Sequence, residues 1–125
     1  MTPLEHAQLS VRDFKGGVDD YLELHLFIDS SKLYYPFFMH RMFTHNTFFI
    51  GICEKIFGAY LTNSDGVKVA IRRLCEEHIK QDLNGFLPSM QNWVEEYRKA
   101  ITNKEKSSWM NSPRKKDLEY LQTLK

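Results

Sequence analysis

Residues 36–57 read PFFMHRMFTHNTFFIGICEKIF, the most apolar stretch of a chain of 125 residues, and how they are read decides the fold. The stretch is long enough to cross a bilayer, but it carries His40, Arg41, His45, Glu54 and Lys55. Each ion at a bilayer centre costs about 2.5–3.5 kcal/mol even on a lenient insertion scale, which excludes a span. Phe37, Phe38, Met42, Phe43, Phe48, Phe49, Ile50, Ile52, Ile56 and Phe57 fall on nearly every face of a helix, the pattern of an element surrounded by others. The sequence therefore predicts one central helix over residues 37–57, regular from Tyr35 or kinked at Pro36 and closed by Gly58. On such a helix His40 and His45 project roughly 140° apart, so only one of them is expected to join a given site.

Working back toward the N-terminus, Thr2-Pro3-Leu4-Glu5 has the form of a capping box, with proline at the first helical position. Leu4, Ala7, Val11 and Phe14 continue it at helical spacing until Gly16-Gly17. Asp19 and Asp20 open a second, short helix with Tyr21, Leu24, His25 and Ile28 on one face. Asp29-Ser30-Ser31 follows as a polar break, and Asp29 is read first as an N-cap.

Beyond the central stretch, two strand-prone runs flank Asn63-Ser64-Asp65-Gly66, which predicts a small β-hairpin near residues 59–69. Residues 70–83 return to helix, with Ile71, Leu74, Cys75, His78 and Asp82 on one face, and Asn84-Gly85 ends it. Pro88 and Ser89 start a helix carrying Met90, Trp93, Val94, Tyr97 and Ile101, with Trp93 as a core anchor. The fold expected is mainly α, a compact bundle of about five helices with one hairpin. The domain is placed at residues 1–102, with a basic tail and a short helix at 103–125.

Charge divides the same way. The formal net charge is +1, but residues 98–125 hold eight Lys/Arg against three Asp/Glu, leaving an acidic body. Arg98, Lys99, Lys104, Lys106, Arg114, Lys115 and Lys116, interleaved with Trp109 and Tyr120, are a candidate contact for nucleic acid, and Leu118, Leu121 and Leu124 for the body or a protein partner. The ordinary reading of such a run is a solvated face. Cys53 and Cys75 form no CxxC pair, which excludes a zinc knuckle and a disulfide scaffold and fits a reducing, cytoplasmic setting. The start MTPLEHAQ lacks the pattern of an export signal, and neither GxxxxGK[ST], GxGxxG nor HExxH occurs.

The chemistry-bearing residues are those placed on inward faces. His78 and Asp82 lie one turn apart, and so do His25 and Asp29. Imidazole and carboxylate suit zinc, iron or manganese, and facing helices build such sites. The candidate metal ligands are His25, His40, His45, His78 and Asp82, with Asp29 as a further one and Arg41 for an anionic group. Taken singly, each histidine is more often a satisfied core residue whose tautomer a carboxylate fixes. The two cysteines read as core, since nothing beside them in sequence would lower a thiol pKa.

Lys15-Gly16-Gly17, Asp20-Tyr21, His25, Asp29-Ser30-Ser31-Lys32, His40-Arg41, His45, Glu54, Phe57-Gly58, Thr62-Asn63-Ser64-Asp65-Gly66, Val69, Glu77-His78, Asp82-Leu83, Pro88 and Trp93 form an ordered pattern. Over residues 6–93 it resembles a domain-of-unknown-function family of small histidine-containing helical proteins from bacteria and phages. That resemblance implies a shared set of five histidines, His6 included, and assigns no activity. The chain departs from the pattern at Asn46, where the family tends to have a second histidine, and at Pro36. Two functions are expected from different classes: divalent-metal binding that supports hydrolysis, and a non-enzymatic accessory or counter-defence protein that binds a protein or nucleoprotein partner.

Overall fold

Thr2 starts helix α1 (Pro3–Phe14) as its sequence predicts: its hydroxyl accepts from the Glu5 amide at 3.1 Å, and the Glu5 carboxylate accepts from the Thr2 amide at 3.3 Å. The computed structural model describes residues 1–35, 39–103, 108–110, 119 and 123. Gly16 follows α1 at φ +76°, where a Cβ would meet the Asp20 carboxylate at 2.6 Å and Asn63 Cβ at 2.8 Å. Glycine is required there because the hairpin loop docks on this corner.

Asn63 Nδ2 donates to the Phe14 carbonyl at 3.0 Å and to the Tyr21 hydroxyl at 3.1 Å. Asp20 accepts from Gly17 N, Ser64 N and Ser64 Oγ, and Asp65 accepts from Gly16 N. Strands β1 (Tyr60–Thr62) and β2 (Lys68–Ala70) pair antiparallel, Leu61 opposite Val69. Two strands alone are marginal, and these polar latches fasten them to the helices.

A 3-10 turn (Val18–Asp20) leads into α2 (Leu22–Ile28), and a second (Ser30–Leu33) follows it. The chain then departs from the expected long central helix. After residues 36–38, which lie outside the described part, come two helices, α3 (His40–Thr44) and α4 (Thr47–Phe57). Asn46 makes the break: its Oδ1 caps α4 by accepting from Phe49 N at 2.8 Å, and its Nδ2 donates to the Met42 carbonyl at 2.8 Å. A side chain that satisfies backbone groups on both sides competes with continued helix. His45, at φ −104° and ψ 62°, sits in the corner, and the Trp93 indole donates to its carbonyl at 2.8 Å.

The break also gives the apolar run two sides. Ile50 and Cys53 are buried, whereas Phe48 is 70% exposed, so burial on every face is not realised. Helix α5 (Ile71–Asp82) packs most extensively on α4 and also meets α1 and α2. Helix α6 (Met90–Asn103) brings Trp93 into the core, stacked on Tyr97. Among the described residues there are six helices where about five are expected, the extra one coming from the divided central stretch.

Trp109, grouped with the tail in the sequence reading, is buried edge-on to Trp93 at 4.8 Å and beside Phe86 at 4.9 Å, so its ring is not presented to a base. Lys104, Lys106, Arg114, Lys115, Lys116, Leu118, Tyr120, Leu121 and Leu124 lie outside the described residues. No described helix is long and apolar enough to cross a membrane.

Candidate metal centre

Four elements bring histidine and aspartate to one place. Helix α1 contributes His6 and Ser10, α2 contributes His25 with Asp29 just past its end, the corner after α3 contributes His45, and the last two turns of α5 contribute His78 and Asp82. His6, His25, His45, His78 and Asp82 are each at most 3% exposed.

One donor atom from each of Asp29, His45, His78 and Asp82 lies within 4.8 Å of all the others. His45 Nε2 is 2.8 Å from Asp82 Oδ2 and 3.5 Å from Asp29 Oδ1. His78 Nε2 is 3.2 Å from Asp29 Oδ1 and 3.3 Å from Asp82 Oδ2. Donors bound about 2.0–2.2 Å from a tetrahedral ion stand roughly 3.3–3.6 Å apart; the 3.2, 3.3 and 3.5 Å spacings are close to that, and the 2.8 Å from His45 to Asp82 is a hydrogen-bond length that an ion would widen. The cluster could hold a metal ion.

Two hydrogen-bond relays orient the imidazoles. In the first, His78 Nδ1 lies 2.8 Å from His25 Nδ1, His25 Nε2 lies 2.8 Å from Ser10 Oγ, and Ser10 Oγ donates to the His6 carbonyl at 3.1 Å. A carbonyl only accepts, so with Ser10 donating to it, His25 donates to Ser10 and His78 donates to His25. In the second, His45 Nδ1 meets Thr44 Oγ1 at 3.1 Å, Thr44 Oγ1 meets Ser31 Oγ at 3.1 Å, and Ser31 donates to the His40 carbonyl at 2.9 Å. The same logic runs the protons outward. Reversing either relay forfeits one of its hydrogen bonds, about 1 kcal/mol each. Run outward, the relays leave the Nε2 of His45 and His78 facing carboxylate oxygens, a contact completed either by a proton on Nε2, as a hydrogen bond to Asp82 or Asp29, or by a cation between them.

The other histidines support or flank this core. His6 Nδ1 donates to Gln81 Oε1 at 2.6 Å, His6 Nε2 faces Asp82 Oδ1 at 3.1 Å, and the His6 ring stacks on His78 at 3.7 Å. His25, expected as a ligand, has both nitrogens engaged in the first relay and stands behind His78. His40 is not brought into the four: its Nδ1 faces Ser31 Oγ at 3.1 Å and its ring lies 6.2 Å from that of His45. Glu54 is far from this chemistry, paired with Arg72 at 2.7 Å.

Arg41 Nη1 donates to the Asp82 carbonyl at 3.4 Å, its Nη2 lies 3.7 Å from Asp82 Oδ1, and the Met1 ammonium is 3.4 Å from the same oxygen. Burial raises the Asp82 pKa, but hydrogen bonds from His45, His6 and His78 outweigh it and hold the carboxyl far below the usual range. Asp29 is likewise lowered against burial, through His78 and His45. Burial pushes His25 down to about 3, with the His78 and His6 charges adding to it. It pushes His45 down to about 4 despite Asp82, and His40 to about 4 with help from Arg41. His78 moves upward, because its contacts with Asp29 and Asp82 exceed the cost of burial.

Asp29 was read first as an N-cap, yet its side chain caps no backbone and reaches His78 instead. His6, Ser10 and Gln81 were missed as site residues. The available signal was the spacing of His6 and Ser10 on either side of Ala7, one turn apart on a face that α1 buries. The cysteines are core: both are buried and free, and the Cys75 thiol is pushed up by its hydrogen bond to Cys53 and by burial.

Asp29, with a 13% exposed side chain, is the one ligand that lines a cleft of about 630 Å³, together with His40, Arg41 and Lys32. The centre thus has a closed side and a side that meets solvent.

No curated protein and no solved structure matches the chain. The family model described as "Domain of unknown function (DUF6915)" matches residues 1–110. That span contains every residue of the centre from His6 to Asp82, the cleft beside it and the Trp93 that holds His45, and the chain belongs to this family of domains of unknown function.

Proposed function

We propose that the protein binds one divalent transition-metal ion between Asp29, His45, His78 and Asp82, and that the loaded centre serves hydrolysis of a substrate held in the adjoining cleft. The close grouping of four donor atoms carries this reading. Metal-bound histidines characteristically donate their second ring nitrogen to a supporting acceptor, and the second nitrogens of His78 and His45 face such acceptors, in chains that end through Ser10 and Ser31 on backbone carbonyls. Two imidazoles and two carboxylates suit zinc, manganese and ferrous iron, and spacings close to tetrahedral favour zinc among them.

A tetrahedral zinc with four protein ligands is closed, whereas catalysis needs a further position for water. Asp29 supports such a position, being the ligand reached from the cleft. An ion there would bring the pKa of bound water toward about 7, and water would add to an ester whose alcohol leaves with a proton.

Elemental analysis of protein purified without a histidine tag tests the binding. One equivalent of metal in the wild type, a raised melting temperature on adding zinc, manganese or ferrous iron, and less than about a tenth of an equivalent in Asp82→Asn are expected. A wild type that takes up no metal and shows no thermal shift overturns the reading. Turnover of a panel of chromogenic esters and phosphoesters should vanish on chelation; turnover that survives it rejects the hydrolytic part.

A further inference from the structure

The cleft beside the centre is lined by groups of opposite character. Pro3, Leu26 and Leu33 are apolar, with Leu33 82% and Leu26 52% exposed, while Lys32 and Arg41 supply positive charge to the same cleft as Asp29. We infer that loading the metal converts this cleft into a site for an organic oxyanion, a phosphate or carboxylate group carrying an apolar substituent. This names the substrate class of the proposed centre and rests on the metal reading.

Charge balance carries the argument. Without metal, Asp29, Lys32 and Arg41 line the cleft and Asp82 lies behind it, 3.7 Å from Arg41, so that two carboxylates stand against two cations. The Met1 ammonium and the Glu5 carboxylate add one charge of each sign at the rim, and His40 stays neutral. A divalent ion bound by Asp29 and Asp82 takes up both negative charges, so the cleft lined by Arg41 and Lys32 becomes positive.

Arg41 is set for the task. The Asp82 carbonyl anchors one arm of the guanidinium at 3.4 Å, and the contact of the other with Asp82 Oδ1 is loose, at 3.7 Å. With Asp82 engaged by an ion, that contact weakens and the fork can turn to an incoming oxyanion, whose paired oxygens match its geometry. The apolar wall then accepts the rest of the molecule, covering Leu26 and Leu33. Because linkage is reciprocal, the anion must also tighten the metal.

The experiment compares untagged protein with and without one equivalent of zinc, titrated calorimetrically with inorganic phosphate, butyl phosphate, pentanoate and butanol. Butyl phosphate or pentanoate should bind the loaded protein at least tenfold more tightly than the free protein, and better than inorganic phosphate, while butanol should not bind. The stronger of the two anions identifies the head group. Arg41→Gln should keep its equivalent of zinc and lose at least tenfold in anion affinity. Lys32→Gln, on an exposed turn, should lose less, and the bound anion should slow zinc loss to a chelator. Anion binding that is absent, indifferent to zinc or unchanged in both variants overturns the inference and leaves a zinc-loaded centre standing. A protein that takes no zinc overturns both.

Discussion

Along α5, the first two turns bury Ile71, Leu74 and Cys75 and the last two bury His78 and Asp82, all at 3% exposure or less. The first group belongs to the apolar core with Ile50 and Cys53, and its contacts are non-directional: they need volume and little else. The second meets imidazoles and a carboxylate, where each nitrogen has an assigned partner and two like charges lie together. One helix therefore carries two kinds of buried face. The first holds the fold, and the second is stable only as a set, since removing one member strands the charge of another.

The sharpest way to break that contrast is Asp82→Asn. It takes away the carboxylate that faces His6, His45 and His78, and we expect a loss of about 3–5 kcal/mol by chemical denaturation, together with loss of metal. Leu74→Ala, on the other half of the same helix, should cost about 3 kcal/mol through transfer and cavity, with the metal stoichiometry unchanged. If Leu74→Ala also empties the centre, the two halves are not independent.

Acid acts on one half only. His25 is held neutral in the fold down to about pH 3, whereas the unfolded chain protonates histidine near its ordinary value of 6.5. Between those limits the unfolded state binds more protons, so stability is fully present above about pH 6.5 and falls as the pH drops. From pH 7 to 5 the His25 contribution is on the order of 2 kcal/mol, read as a shift in urea midpoint. His45 and His40 act in the same direction, and His78, raised, in the opposite one. Leu74→Ala should leave this slope unchanged. The smallest effect is expected for Ser10→Ala, about 1 kcal/mol for the relay hydrogen bond and about tenfold in metal affinity.

Much of this was legible from residues that act locally. The capping box of α1, the glycine after it, the turn sequence of the hairpin and the inward stripe through His78 and Asp82 are short-range patterns with one reading. The central break was not, because one capping asparagine stood against ten apolar residues, and its effect depends on Trp93, forty-seven positions later. Asp29 followed by two serines looks like a cap, and nothing local says that His78 will claim its carboxylate. His6 was hidden because Leu4, Ala7, Val11 and Phe14 offered a plausible apolar stripe. In the structure Ala7 is buried and Val11 and Phe14 pack on the core, but Leu4 is 48% exposed, and His6 and Ser10 go inside beside Ala7.

The hydrogen bond from the Trp93 indole to the His45 carbonyl also ties the corner to a helix that is translated after every other part of the centre. As the chain leaves the ribosome, the four side chains that could hold an ion emerge between residues 29 and 82, but the clamp on His45 arrives only with α6. A nascent chain lacking that helix offers an ion a loose, partial set of ligands. On the proposed reading, an ion would meet its full set of donors only once translation has passed the last residue that fixes the corner.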